Sequence, residues 1–251
     1  MGTLSGKTAV VVGASGEANF GNAIARRLSE EGANVVVSAR RQEPLEVLAS
    51  DIGGIAVSCD VTDESQLASL FATARETYGQ VDIGVYSAGV HAADAIADIS
   101  AEKILPTLQV SFVGALLFFK HAAAAMDKGG SIITVSSLTA RIPGPGLAAY
   151  SGARAGIDYA IKVAAQEYGA QKIRFNSIAA GLIETDMTSM FFGMDPVIQA
   201  HIDATPSGRM GTLDDMAEAA LFLADDSRSG YINAQVLDLA GGQQTGHLPK
   251  F

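Results

Sequence analysis

Tyr150 and Arg154 stand four residues apart in a stretch patterned as a helix, residues 150–168. Side chains at that spacing share one helix face. A free phenol titrates at about 10, roughly three units above neutrality. A permanent cation one turn away favours the phenolate. A tyrosine so placed can pass a proton to or from a substrate oxygen. Ser137 follows the end of a strand-like run, Ser131–Ser136, so its hydroxyl can point into a crevice and hold the same oxygen. Arg154 keeps its charge and can bond sugar hydroxyls, but it releases no proton. The plainer reading is an aromatic helix residue packed beside a surface arginine.

A second group of residues suits a phosphorylated ligand. The stretch Gly13-Ala14-Ser15-Gly16-Glu17-Ala18-Asn19-Phe20-Gly21 joins an apolar run to a helical one. Small residues let backbone N–H groups approach a pyrophosphate, and the helix adds the positive end of its dipole. Gly13, Ser15, Asn19, Phe20 and Gly21 are therefore candidate cofactor contacts. The turn is about two residues longer than the usual glycine spacing, and Asn19 stands where a middle glycine is expected. The next run ends Ser38-Ala39-Arg40-Arg41. An acidic residue there would bond the ribose 2′-hydroxyl of NAD, whereas Arg40 and Arg41 suit the 2′-phosphate of NADP. A solvated basic turn is the alternative. Asp60, followed by Val61, ends a third run and can meet an adenine amino group or serve as a turn carboxylate. NADP(H) is expected ahead of NAD(H).

These residues need a frame that puts strand ends together. Short β-branched runs occur at Thr8–Gly13, Asn34–Ala39, Ile55–Cys59, Val81–Tyr86, Ser131–Ser136, Ile173–Ile178 and Ala234–Leu239. Each is apolar on both faces, as a parallel sheet covered by helices requires. Helical stretches lie between them at residues 21–31, 44–51, 64–78, 101–126, 150–168 and 213–224. The alternation predicts an α/β, doubly wound parallel sheet of about seven strands in a single domain, 1–251. Ligands of such sheets bind at the carboxyl ends of the strands, where strand order reverses. One connection is long, Gly181–Gly211, and residues 185–210 are expected to form a substrate lid. Met187, Met190, Phe191, Phe192 and Met194 make it oily, which suits a substrate with an apolar body, or the packing of a short helix.

Composition narrows the classes. The 251 residues carry 17 Lys+Arg against 27 Asp+Glu, a formal charge of −10. That balance argues against nucleic-acid or anionic-membrane partners. Cys59 is the sole cysteine, so no intrachain disulfide forms, and no metal site is expected. The most apolar stretch, Gly114–Met126, is interrupted by Lys120 and His121 and is short for a bilayer span. The first residues lack a signal-peptide pattern, and a cytoplasmic protein is expected.

Almost the whole chain resembles the short-chain dehydrogenase/reductases. The matching pieces are Gly13-Ala14-Ser15, Cys59-Asp60-Val61-Thr62-Asp63, Ser87-Ala88-Gly89, Val135-Ser136-Ser137, Tyr150-Ser151-Gly152-Ala153-Arg154, Gly181-Leu182-Ile183-Glu184-Thr185-Asp186-Met187 and Leu239-Ala240-Gly241-Gly242. The resemblance implies a Rossmann-type seven-stranded sheet and a nicotinamide cofactor across the strand ends. It also implies dimers or tetramers through the helix bearing Tyr150. The matching positions Ala88, Gly89, Gly181, Ile183 and Thr185 join Tyr150 and Arg154 as implied cofactor contacts. Four departures stand out. Arg154 replaces the family's Lys, and Ser111 replaces the Asn of its proton relay, where Ser111 is expected to assist. Tyr86-Ser87 replaces Asn-Asn, and Ala180 replaces Pro.

The Ser…Tyr-x-x-x-Arg pattern also resembles the halohydrin dehalogenases, relatives on the same fold that use no nicotinamide. Arg40, Arg41, Asp60 and the Ile183-Glu184-Thr185 stretch weigh against that reading. A non-catalytic dinucleotide sensor is a third reading, prompted by the missing Lys and Asn. The expectation carried forward is an oxidoreductase moving a hydride between NADP(H) and a carbonyl/alcohol pair, with Tyr150 as acid/base and Ser137, Arg154 and Ser111 assisting.

Overall fold

The computed structural model describes residues 2–246. Seven strands form one parallel sheet in the order β3-β2-β1-β4-β5-β6-β7. They are β1 (Thr8–Val12), β2 (Asn34–Ala39), β3 (Ile55–Ser58), β4 (Ile83–Tyr86), β5 (Gly130–Ser137), β6 (Ile173–Ala180) and β7 (Val236–Leu239). The sheet starts at β1 and grows outward in both directions, so a crevice opens between the ends of β1 and β4.

β1 shows why continuous apolar runs become inner strands. Successive side chains point to opposite faces. Ala9 and Val11 enter one buried cluster with Ile24, Leu28 and Met216. Val10 and Val12 enter the other with Phe71, Phe118 and Ile157. Both faces are dry because helices cover both. On the first face lie α1 (Phe20–Glu30), α2 (Gln42–Ile52) and, further along the chain, a helix at Leu213–Ala224. On the second lie α3 (Glu64–Tyr78), α5 (Gly114–Ala124) and α6 (Ala148–Tyr168), with α4 (Ala101–Leu108) packed against α6. Polar residues start several of these helices. Asn19 Oδ1 accepts from Asn22 N at 2.7 Å at the head of α1, and Asp63 caps α3 in the same manner.

The structure differs from the sequence expectation in three places. The expected helix 101–126 is two helices joined by a π-turn at Gln109–Val113, with Pro106 in the first. The wider turn exposes the Val110 carbonyl, and Tyr86 Oη donates to it at 2.5 Å. By length and composition alone Ala101–Ala124 could cross a membrane. Ala115, Phe118, Phe119 and Ala122 are nevertheless buried in the core. The expected loop 181–211 contains α7 (Ser189–Phe192) and α8 (Asp195–Ala204), and α9 is the helix Leu213–Ala224 already placed on the first face. β7 starts at Val236 rather than Ala234, because Ala234 takes a positive φ of 61° that no strand accommodates.

Candidate active site

A cleft of about 590 Å³ runs across the carboxyl ends of β1, β2, β4 and β5. Its inner end holds Tyr150, from the first turn of α6, and Arg154 one turn later. The guanidinium carbon stands 5.2 Å from the centroid of the Tyr150 ring. Arg154 is only 4% exposed. Its Nη1 donates to the Val135 carbonyl at 2.8 Å, and its buried Nε has no partner. Gly89 faces it so closely that a Cβ would collide with Arg154 Nη2. The Tyr–Arg pair expected from spacing alone is therefore formed, and it is held by the backbone of two strand ends.

Ser137 lies at the end of β5 and is buried. Its Oγ accepts from Thr139 N at 3.2 Å and from Thr139 Oγ1 at 3.0 Å. The strand residues that line the cleft directly are Val135 and Ser136, with Ser137 one step beyond. Ser111 sits in the π-turn, fully buried, with an unpartnered hydroxyl. It is behind the cleft wall, to which Val110 contributes. His91, unnoticed in the sequence, is exposed beside the catalytic end, its ring 5.3 Å from that of Tyr150. Its position two residues past Gly89 is the signal that could have found it.

The outer end is built from turns. Gly13 needs its φ of 83°, and a Cβ there would stand 2.7 Å from Ala88 N, so β1 and β4 close together only over a glycine. Gly21 acts as a spacer: a Cβ on it would lie 2.6 Å from the Gly13 carbonyl. It packs helix on strand and does not line the cleft. Asn19, in the place of a middle glycine, turns its side chain back to cap α1. Phe20 touches the cleft but packs against the core under α1, so the bed stays open. Arg41 donates to the Ser15 carbonyl at 2.8 Å and braces the first turn. Arg40 lines the cleft beside Asp60. Hydrogen bonds from Thr62 and the nearby Arg40 hold the Asp60 carboxyl below its ordinary value. Burial pushes the Cys59 thiol up to about 11, which makes it a packing residue.

Ser15, Val61, Ala88 and Thr185 also line the cleft. Gly181 and Ile183 do not. They line a separate cavity of about 220 Å³ with His201 and Arg209. Ile183 is committed to a bridge with Gly211, and Gly181 is pressed against Ala240. The start of the 185–210 segment reaches the cleft through Thr185, Asp186 and Met187. Asp186 N donates to the Ala18 carbonyl at 2.8 Å, and its carboxylate lies against Gly16 and Ala18 N.

Residues 13–244 match the family model described as enoyl-(acyl carrier protein) reductase. The chain belongs to the short-chain dehydrogenase/reductase family. It is similar to an uncharacterised oxidoreductase of Methylorubrum extorquens, 34% identical over 96% of this chain and 99% of that one. It is also similar to a 3-oxoacyl-[acyl-carrier-protein] reductase of Bos taurus, 31% identical over 91% of this chain and 95% of that protein. A solved short-chain type dehydrogenase/reductase from Mycobacterium ulcerans superposes with a TM-score of 0.92 at 27% identity, covering 99% of this chain and 93% of that one. As a short-chain dehydrogenase/reductase the protein is an oxidoreductase, and the family works with nicotinamide dinucleotides on small molecules. The residues present fit such a dinucleotide. The cleft is open along its length, Gly13 and Gly89 leave backbone bare where it must come close, and a buried guanidinium has an unpartnered Nε at one end. Among the described residues no cluster of side chains could hold a metal.

Proposed function

We propose that this short-chain dehydrogenase/reductase is an NADP(H)-dependent enzyme that interconverts a carbonyl and an alcohol on a substrate with an apolar body. One observation carries the reading: Tyr150 and a buried Arg154 at one end of the cleft, with Arg40 beside Asp60 at the other. The nicotinamide supplies or accepts the hydride when bound. In the reducing direction Tyr150 Oη donates its proton to the substrate oxygen, and in the oxidising direction it takes that proton back. Ser137 Oγ, released from Thr139, bonds the same oxygen and fixes its approach. Arg154 keeps a positive charge beside the phenol and offers N–H groups to ribose hydroxyls. Arg40 pairs with the 2′-phosphate while Arg41 stays on Ser15. Ser111, buried behind Val110, assists in returning a proton to the phenol. Met187, Met190 and Met194, all exposed on the lid root and its helices, close over an apolar substrate body.

Arg154 in place of a lysine favours a second reading, a cofactor-independent halohydrin dehalogenase. Asn19 capping α1 and Phe20 packed against the core at the cleft edge support the nicotinamide reading instead. Exposed Val113 of the π-turn, Leu116 of α5 and Tyr159 and Val163 of α6 suit a homo-oligomer, and Phe222, Tyr231 and Leu237 near β7 suit a second contact and a tetramer. Fluorescence titration with NADPH and NADH tests the reading, followed by NADPH oxidation on a panel of apolar ketones. Tight NADPH binding with turnover supports it and disposes of a silent sensor. Halide release from a halohydrin with no nucleotide present, and no NADPH binding, overturns it.

A further inference from the structure

The long turn between β1 and α1 already meets an anion, and the anion belongs to this chain. Ala18 N donates to Asp186 Oδ1 at 3.4 Å. The other carboxylate oxygen, Oδ2, stands over Gly16, where a Cβ would collide with it and with Asn19 Nδ2. Gly16 therefore makes room for a carboxylate. Asp186 lines the cleft together with Gly13, Ser15, Gly16 and Asn19 of that turn. Backbone N–H groups ahead of a helix attract phosphate because they point bare donors at it, and the helix dipole adds to the pull. A carboxylate oxygen answers the same donors.

The carboxylate is not what keeps its own segment in place. Asp186 N donates to the Ala18 carbonyl at 2.8 Å, a bond that no change of side chain removes. Thr188 Oγ1 donates to the Ile183 carbonyl at 2.6 Å, and Thr185 N donates to the same Oγ1 at 2.9 Å, so the start of the 185–210 segment is folded onto itself. The bond from Ala18 N to the carboxylate is long beside these, and such a donor exchanges partners readily. Asp186 is exposed, and its carboxylate meets no cation among the described residues. Arg41, the cation that braces the same turn, bonds the Ser15 carbonyl instead.

We propose that the Asp186 carboxylate sets the affinity of the cleft for nucleotide phosphates: it stands in for a phosphate oxygen at the turn and repels the phosphate that would replace it. The proposal rests on the cleft holding a dinucleotide. A fixed negative charge beside the pyrophosphate weakens every ligand that carries one and leaves the nucleoside part untouched. An enzyme that exchanges its dinucleotide at each turnover is served by such a loosened hold, since product release commonly limits the rate.

The test is calorimetric titration of the full chain with ADP, adenosine and NADPH. Asp186→Asn is expected to tighten ADP and NADPH by about fivefold or more and to leave adenosine within about twofold. The gain should shrink in about 0.5 M NaCl, where charge repulsion is screened. Asp186→Ala makes the same prediction without an amide that could bond Ala18. A side chain that merely shaped the turn would weaken ADP when removed. If the preference for ADP over adenosine stays level or falls in a variant with native circular dichroism, the proposal is overturned and the dinucleotide reading stands. If neither wild type nor variants bind ADP or NADPH, both fall together.

Discussion

The two ends of the cleft are built differently. At the inner end the working groups stand on regular elements. Tyr150 and Arg154 share one face of a 21-residue helix, and Arg154 is locked between the Val135 carbonyl and Gly89. At the outer end the groups stand on turns, and their bonds reach across exposed chain, as from Arg41 to Ser15 and from Asp186 to Ala18. Bond making needs placement to a fraction of an ångström, which buried strand ends and long helices provide. Recognition of a phosphate tolerates more movement and is met by charge and backbone N–H groups on loops. Damage at the inner end should therefore abolish turnover and spare binding, and damage at the outer end should do the reverse.

The sharpest break of that contrast is Tyr150→Phe. Turnover should fall by about 10³-fold or more while the NADPH dissociation constant stays within about twofold. Unchanged turnover would remove the phenol from the chemistry. Gly89→Ala comes next, since its methyl group collides with Arg154 Nη2. Turnover should drop roughly 10- to 100-fold in a chain that still folds, a displacement effect that circular dichroism separates from unfolding. At the other end, Arg40→Ala should raise KM for NADPH about tenfold or more and leave KM for NADH nearly unchanged. An equal effect on both nucleotides would reject the 2′-phosphate contact.

The smallest effect lies outside the cleft, at Asp215, third residue of α9. Two hydrogen bonds from Arg209, with others from Thr212, hold its carboxyl well below the usual carboxylate range. A carboxyl depressed in the folded state stabilises above its unfolded value of about 4, and that contribution fades as pH falls below it. Asp215→Asn should cost about 1 kcal/mol in urea unfolding at neutral pH, and the gap to wild type should narrow under acid. A gap that widens in acid would reverse the assignment.

The sheet was legible because inner strands covered on both faces must be continuous apolar runs, and Val10–Val12 or Ile132–Ile133 can be little else. The Tyr150–Arg154 pair was legible because helical periodicity alone sets its geometry. What escaped depended on contacts between distant segments. The π-turn at Val110 answers to the Tyr86 hydroxyl, 24 residues away. Gly181 and Ile183 were expected at the cleft but line a separate cavity, Ile183 bridged to Gly211 and Gly181 against Ala240. Asp158 looks like an ordinary surface acid until β6 brings Ser177 against it. The sequence leaves the tail, residues 246–251, able to reach a neighbouring subunit or simply to fray, and residues 247–251 lie outside the described residues.

The bond between Asp186 and Ala18 spans 168 residues of sequence. It joins the start of the 185–210 segment, proposed above as a lid, to the lengthened first turn. Anyone exchanging lids among such enzymes to change what they accept would have to move both parts together. Grafted onto a scaffold with a shorter turn, this lid would bring a carboxylate and find no amide waiting for it.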